Sequence, residues 1–183
     1  MSSDMHKDVG KILFTERKIR RRIQEMGTQM AADYKGKNPM MVAVLKGSFV
    51  FMADLVRAMD IPCEIEFLGV SSYEGKATTN TGAVRLTKDL NTDIADRHVI
   101  VVEDILDSGL TLQYLMGYLK NRQPASMEIC TLLDKPERRK AEVYAKYKGF
   151  TVPDAFVVGY GLDYDEGYRN LPYIGVLKPE IYE

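Results

Sequence analysis

The chain has 183 residues, enough for one domain with a substantial core. Lys and Arg total 25 against 26 Asp and Glu, a formal net charge of −1, so no global field draws the chain to nucleic acid or to an anionic membrane. Two cysteines, Cys63 and Cys130, are too few for a disulfide framework and too far apart for a thiolate metal site. Both sit in apolar runs and read as small buried thiols in a reducing cytosol.

Met1 to Gly10 is polar, without the apolar stretch of a signal peptide, and no run reaches the length of a membrane span. The expected location is the cytoplasm. Val9 to Phe14 reads as a short strand. Thr15 to Tyr34 reads as a helix, with Ile19, Ile23, Met26, Met30 and Tyr34 forming one apolar stripe at steps of three or four. Arg17, Lys18, Arg20, Arg21 and Arg22 fall around the rest and form a solvated face, with an RNA-binding face as the minor alternative.

Met40 to Leu45 is an apolar run after Pro39, the pattern of a buried parallel strand. Lys46-Gly47-Ser48 follows, then a helical run through Phe49, Met52, Ala53, Leu55 and Val56. Ile61 to Ser72 and Thr81 to Thr87 are β candidates. The Gly/Lys/Thr/Asn-rich stretch from Tyr73 to Asn80 has the composition of a mobile loop. Val99 to Val102 is the central strand. Leu112, Leu115 and Leu119 mark a helix ending near Asn121, before Pro124. Met127 to Leu133 is a strand, Lys135 to Lys148 is charged and loop-like, and Ala155 to Tyr160 and Tyr173 to Leu177 are the last strands. There is no repeat or low-complexity segment.

Apolar strands alternating with helices predict an α/β domain with a mainly parallel sheet flanked by helices. Ligands of such sheets bind at the carboxyl ends of the strands. Segments 46–48, 103–111 and 134–138 each follow a strand and are expected to converge on one crevice. No G-x-G-x-x-G follows a strand and no Walker A motif is present, so dinucleotide and P-loop folds have no support.

The densest chemistry lies in residues 98–111. The run from His98 to Val102 empties into Glu103 and Asp104, followed by Asp107-Ser108-Gly109-Leu110-Thr111 and a helical pattern. Free N–H groups at a helix start, with Ser and Thr hydroxyls beside them, can wrap a phosphate, and Gly109 allows close backbone approach. Carboxylates at a strand end can accept from ribose hydroxyls or face a metal. For Asp107 the structural alternative is an N-cap of the following helix. For Ser108, Gly109 and Thr111 it is an ordinary strand-to-helix turn.

Four hydrophobic residues, two acids, two hydrophobics and Asp-Ser-Gly-x-Thr together resemble the phosphoribosyl-diphosphate (PRPP) signature of the type I phosphoribosyltransferases. Leu45-Lys46-Gly47-Ser48, Leu132 to Pro136, Phe156 to Tyr164, Ser72-Tyr73 and Tyr168-Arg169 resemble the hypoxanthine-guanine members, in their bacterial form. The likeness runs from about Val9 to Leu177. It implies one phosphoribosyltransferase domain over residues 1–183, with a core of about 35–165 and a small hood from the N- and C-terminal segments. It implies purine salvage: Mg²⁺-dependent transfer of phosphoribosyl from PRPP to hypoxanthine or guanine.

The resemblance also implies roles. Asp107 is the general base or acid at the purine imidazole N7. Glu103 and Asp104 face the ribose hydroxyls, directly or through metal and water. Ser108, Gly109, Leu110 and Thr111 hold the 5′-phosphate. Lys46 and Gly47 form a diphosphate loop whose peptide can be cis. Arg169 contacts diphosphate, where a guanidinium fork suits phosphate oxygens. Lys135 donates to the purine O6, Phe156 stacks on the ring and Val157 meets the base edge through its main chain. Asp163 lies near diphosphate as a further metal ligand at the base end. Ser72 and Tyr73 belong to a lid that excludes water from an oxocarbenium-like state.

Small-molecule substrates are therefore the expected partners, with no nucleic acid and no membrane, in a homodimer or homotetramer. The rival readings are a xanthine-preferring transferase and an RNA-binding regulator on the same fold, the latter requiring a contiguous basic surface.

Overall fold

The computed structural model describes residues 4–72 and 84–183. In chain order the elements are β1 (Val9–Phe14), α1 (Glu16–Asp33), β2 (Met40–Leu45), α2 (Phe49–Ala58), β3 (Glu64–Ser72), β4 (Val84–Lys88), β5 (His98–Leu106), α3 (Leu110–Lys120), β6 (Ser126–Asp134), a 3₁₀ turn at Pro136–Arg138, β7 (Tyr147–Thr151), β8 (Val157–Val158), β9 (Ile174–Leu177) and α4 (Pro179–Tyr182).

Six strands form the main sheet in the order β4-β3-β2-β5-β6-β7. Only the β3–β4 pair is antiparallel; the other four pairings are parallel. β2 shows why the apolar run becomes a central strand. Met40, Val42 and Val44 point to one face, packing with Leu112, Leu115 and Leu119 of α3. Met41 and Ala43 point to the other, against Ile23, Met26 and Met30 of α1 and Phe51 and Leu55 of α2. A strand covered on both faces has no polar side to show, hence its continuous hydrophobicity.

α1 starts where Thr15 Oγ1 accepts from the Lys18 N–H, a serine/threonine-type N-cap. Its basic residues are largely neutralised: Arg20 pairs with Glu16, and Arg21 and Arg22 with Glu25. The stripe expected to be solvated is therefore laced with i,i+3 and i,i+4 ion pairs.

A separate antiparallel sheet, β1-β9-β8, joins the two ends of the chain. It packs with the loop through Tyr164, Tyr168 and Leu171 and stands over the carboxyl end of the main sheet through the 159–169 segment.

The sequence patterns misplace several boundaries. β5 runs to Leu106, so Glu103 and Asp104 lie within the strand rather than after it. The charged 135–148 stretch holds the 3₁₀ turn and the start of β7. Among the described strands β7 is the edge of the main sheet, next to β6, and Arg22 of α1 donates to its Lys148 and Gly149 carbonyls at 2.6 and 3.0 Å. The last strands are shorter than expected, and the four-residue α4 was not anticipated. Cys130 is buried as expected, while Cys63 is only half-buried and precedes β3.

Candidate active site

Strand order reverses between β2 and β5. β2 feeds α2 and then β3 on one side, while β5 lies on its other side. That switch opens a crevice at the carboxyl ends of both strands. The 44–47 and 103–112 segments meet there around a cavity of about 290 Å³, also lined by Val70, Asp163 and Arg169.

One wall is the loop after β2. The Leu45–Lys46 peptide is cis. Ser48 is fully buried and donates to the Val44 carbonyl at 2.5 Å, tying the loop back to its strand. Gly161, with φ of +101°, lies so close that a Cβ there would fall 2.1 Å from the Gly47 carbonyl oxygen. Lys46 lines the cavity, but its Nζ pairs with Glu166 at 2.9 Å.

The opposite wall carries the acids. Burial, and then the adjacent Asp104 carboxylate, push Glu103 well above the usual carboxylate range. Burial also raises Asp104, opposed by the Ile105 N–H and by Arg169. Arg169 pairs with Asp163 at 3.0 Å and donates to the Gly161 carbonyl at 2.8 Å, while its Nε is buried without a partner.

The 107–111 turn closes the cavity. Gly109 is the N-cap of α3, with φ of 81° and no side chain to offer, while Ser108 Oγ accepts from the Leu110 N–H at 3.4 Å. Asp107 is thus not the cap, which removes its structural alternative. The first N–H groups of α3 have no intrahelical acceptor. Ser108 and Thr111 line the cavity, whereas the Leu110 side chain is half-exposed outside it and offers only its backbone.

A second cavity, of about 390 Å³, is lined by Ile105, Asp107, Lys135, Arg138, Asp154, Ala155, Phe156, Val157, Leu162 and Tyr182. It shares Ile105 and Asp107 with the first. Lys135, in a stretch that composition alone would leave in solvent, is 5% exposed and donates to the Ala155 carbonyl at 3.0 Å. Phe156 keeps 38% of its surface open while Tyr182 stacks on it at 5.0 Å between ring centres. Asp163 lines the first cavity and not the second, away from the position expected for a base contact. Ser72 ends β3, and Tyr73 falls outside the described residues.

A larger concavity, of about 730 Å³, lies between α1, α2 and residues 169–172, and shares only Arg169 with the first. Its charges are paired internally, Arg20 with Glu16 and Arg57 with Asp54. It holds none of the motif acids, so volume alone is a poor guide to the chemistry here.

Three residues absent from the sequence reading enter the site, joined by Arg138 at the end of the 134–138 segment expected there. Arg138 faces Asp107, Asp154 faces Lys135, and Tyr182 backs Phe156. Arg139 donates to the carbonyls of Asp107 at 3.0 Å and Leu106 at 3.2 Å, and pairs with the buried Asp134. Their contacts span long sequence separations, and only the run of charge at 137–140 marks the two arginines.

The model of the phosphoribosyl transferase domain matches residues 10–165. The chain is 50% identical to the hypoxanthine-guanine phosphoribosyltransferase of Bacillus subtilis over 179 residues, covering 98% of this chain and 99% of that protein. It is also 50% identical to a bifunctional TilS/HprT protein of Listeria monocytogenes over 181 residues, but spans only 28% of that protein's length. The crystal structure of a hypoxanthine phosphoribosyltransferase from Staphylococcus aureus superposes with a TM-score of 0.94 at 51% identity, covering 100% of this chain and 99% of that one. The chain belongs to the phosphoribosyl transferase domain family, among its hypoxanthine-guanine phosphoribosyltransferases.

Proposed function

We propose that this chain transfers the 5-phosphoribosyl group of PRPP to N9 of hypoxanthine or guanine, releasing diphosphate. The observation that carries the reading is the meeting of two unlike cavities at Asp107. One is rich in acids and helix-start N–H groups and suits a sugar phosphate; the other is walled by Phe156, Val157 and Ile105 and suits a flat base.

In this reading the C1–O bond to diphosphate breaks, the leaving group takes the electron pair, and the N9 lone pair forms the bond to C1. The proton on N7 passes to the Asp107 carboxylate. Its Oδ1 is buried and accepts no hydrogen bond. Arg138 Nε lies 3.3 Å away, in ion-pair range but without hydrogen-bond geometry, so Oδ1 keeps its acceptor capacity for a proton. Lys135, with one N–H held by Ala155, has two left for a 6-oxo group. The 6-amino group of adenine offers no acceptor there. Lys46, Gly47 and Arg169 hold diphosphate, while Ser108, Thr111 and the 108–111 backbone hold the 5′-phosphate.

The donor set fits Mg²⁺. Glu103, Asp104 and Asp163 line one cavity; Glu103 is buried and Asp104 half-buried, and desolvation raises both carboxyls. Among the described residues no three His, Cys, Asp or Glu side chains form a metal cluster by themselves. In this reading the carboxylates hold the cation together with substrate phosphates. When bound, the ion offsets charge on the diphosphate.

The reading includes a single domain, a cytoplasmic setting and a homodimer or homotetramer. The two free thiols support a reducing compartment. Among the described residues no helix is long and apolar enough to cross a membrane. Sedimentation measures the assembly.

A spectrophotometric assay with PRPP and Mg²⁺, offering hypoxanthine, guanine, xanthine and adenine separately, tests the function. Turnover of hypoxanthine and guanine without adenine is expected. Preference for xanthine would reassign the base. Absence of turnover with salt-sensitive RNA binding would replace catalysis by the regulatory reading.

A further inference from the structure

Asp154 and Arg138 complete a ring of charge at the base cavity. Lys135 Nζ stands 3.9 Å from Asp107 Oδ2 and 3.9 Å from Asp154 Oδ1. Arg138 links the same two acids, with Nε 3.3 Å from Asp107 Oδ1 and Nη1 3.4 Å from Asp154 Oδ1. Each cation therefore faces both anions, and all four residues line the cavity.

The members differ in freedom. The Lys135 side chain is 6% exposed and anchored on the Ala155 carbonyl. Those of Arg138 and Asp154 are about half-exposed, at 53% and 50%, so both can shift at little cost in packing. Arg138 hydrogen-bonds Asp154 but approaches Asp107 Oδ1 without hydrogen-bond geometry. The position it crowds is the one from which Oδ1 must accept a proton from the base.

Two demands follow when a base enters. Arg138 must withdraw from Asp107 Oδ1, and it needs an anion to withdraw to. Once Asp107 takes the proton it is neutral, and the buried Lys135 ammonium loses one of its two counter-charges. A buried cation without a partner is strongly disfavoured. Asp154 meets both demands, because it already touches both cations and lies outside the proton's path.

We propose that Asp154 is a positioning residue of the base site, which receives Arg138 and keeps Lys135 paired while Asp107 is engaged by the base. The proposal rests on the reading of Asp107 as the base and of this cavity as the purine site. It makes Arg138 a competitor of the incoming base for Asp107, held in check by Asp154.

Steady-state kinetics with hypoxanthine and PRPP on the wild type, Asp154→Asn, Arg138→Ala and the double variant test it. In Asp154→Asn both cations settle on Asp107, and KM for hypoxanthine is expected to rise about three- to five-fold, the scale of a partly exposed ion pair. KM for PRPP should stay within about two-fold, since the phosphate cavity is untouched. Removing Arg138 as well should recover most of the lost base affinity, because the competitor is gone. A purely structural Asp154 would not be rescued by deleting a second side chain. Unchanged KM in Asp154→Asn, no recovery in the double variant, or a parallel rise in KM for PRPP would each overturn the proposal. If Asp154→Asn folds poorly, Asp154→Glu keeps the charge and is expected to retain wild-type KM; a rise there overturns it equally. A wild type inactive on every 6-oxopurine rejects the reading of the site, and the proposal with it. An active wild type with unaffected variants rejects the role of Asp154 alone.

Discussion

The backbone of Gly47 lies directly against the carboxylate of Asp104: a Cβ on Gly47 would fall 1.6 Å from Asp104 Oδ2 and 2.6 Å from its Cγ. The loop after β2 and the acids of β5 are thus packed to contact, and any side chain at position 47 must push one of them away. Gly47→Ala is expected to displace Asp104 or the loop by about 1 Å, a misplacement that can cost about 100-fold in catalysis. The overpacking should lower stability by about 1–3 kcal/mol. Kinetics should show the loss in kcat/KM for PRPP rather than in KM for the base. Wild-type PRPP kinetics in Gly47→Ala would mean that the loop and the acid need not touch.

Arg139 grips the turn bearing Asp107 from the side away from the cavities, through the carbonyls of residues 106, 107 and 143 and the buried Asp134 carboxylate. A lysine there keeps the charge and loses the fork. Arg139→Lys is expected to stay folded and lose about tenfold in kcat through looser placement of Asp107. Arg139→Met also strips Asp134 of one of its two cations, leaving Lys148, and should cost about 3 kcal/mol, as breaking a buried pair does. A melting curve and kcat separate the two effects. Equal kcat in Arg139→Lys and wild type would show that the turn holds its shape without the fork.

What the sequence discloses of this site follows from where its chemistry is stored. Glu103 to Thr111 carries its acids, phosphate turn and helix start in nine consecutive positions, so local pattern suffices. The central strand β2 is equally legible, since burial on both faces removes every polar residue from it. Arg139 and Asp154 are opaque for the opposite reason. The partners of Arg139 lie up to 33 positions away, and those of Asp154 are reached only after β6 and β7 have been laid side by side. α4 is too short for any helical period, so Tyr182 carries no signal although it reaches the base cavity. Lys135 is the intermediate case: its position after a strand singles it out, but its burial is a property of the fold alone.

Glu66 braces the β3–β4 pair. It is buried, yet its carboxyl sits below the ordinary value of 4.5, because the Thr92 hydroxyl, the Phe67 and Asn91 N–H groups and Lys88 together outweigh desolvation. A carboxyl whose pKa is lowered by folding contributes stability that is present above its unfolded pKa and lost as pH falls through the folded one. Glu66→Gln should therefore be less stable than wild type at pH 7, by on the order of 1–2 kcal/mol for the lost charge-assisted hydrogen bonds. The gap should close on acidification below the ordinary carboxylate value. Thermal melts at several pH values measure it, and a gap that is independent of pH would assign the loss to packing instead.

Asp107→Asn keeps the shape of the turn and removes the proposed proton acceptor. Turnover with guanine is expected to fall by about 10²–10⁴-fold, the usual share of a general base. PRPP binding, read by titration calorimetry, should persist, because the helix-start N–H groups and the Ser108 and Thr111 hydroxyls are untouched. Unchanged kcat would remove Asp107 from the proton's path and point to solvent as the acceptor.

In the proposed reading Lys135 decides which base fits. Its ammonium is buried at 6% exposure and held by one carbonyl, with two carboxylates too distant to hydrogen-bond it, so it is presented to a ligand rather than spent on the protein. A 6-oxopurine satisfies it, and a 6-aminopurine leaves a buried cation facing a donor. A site that discriminates through such a hydrogen bond loses its selectivity when the donor is removed. Lys135→Ala should raise KM for hypoxanthine and guanine and narrow the preference over adenine by at least about tenfold. The same change frees Asp107 and Asp154 from a shared cation, so kcat and KM must be compared for each base separately. A uniform fall in kcat at unaltered base preference would make Lys135 a partner of Asp107 and leave the choice of base to the walls formed by Phe156, Val157 and Ile105.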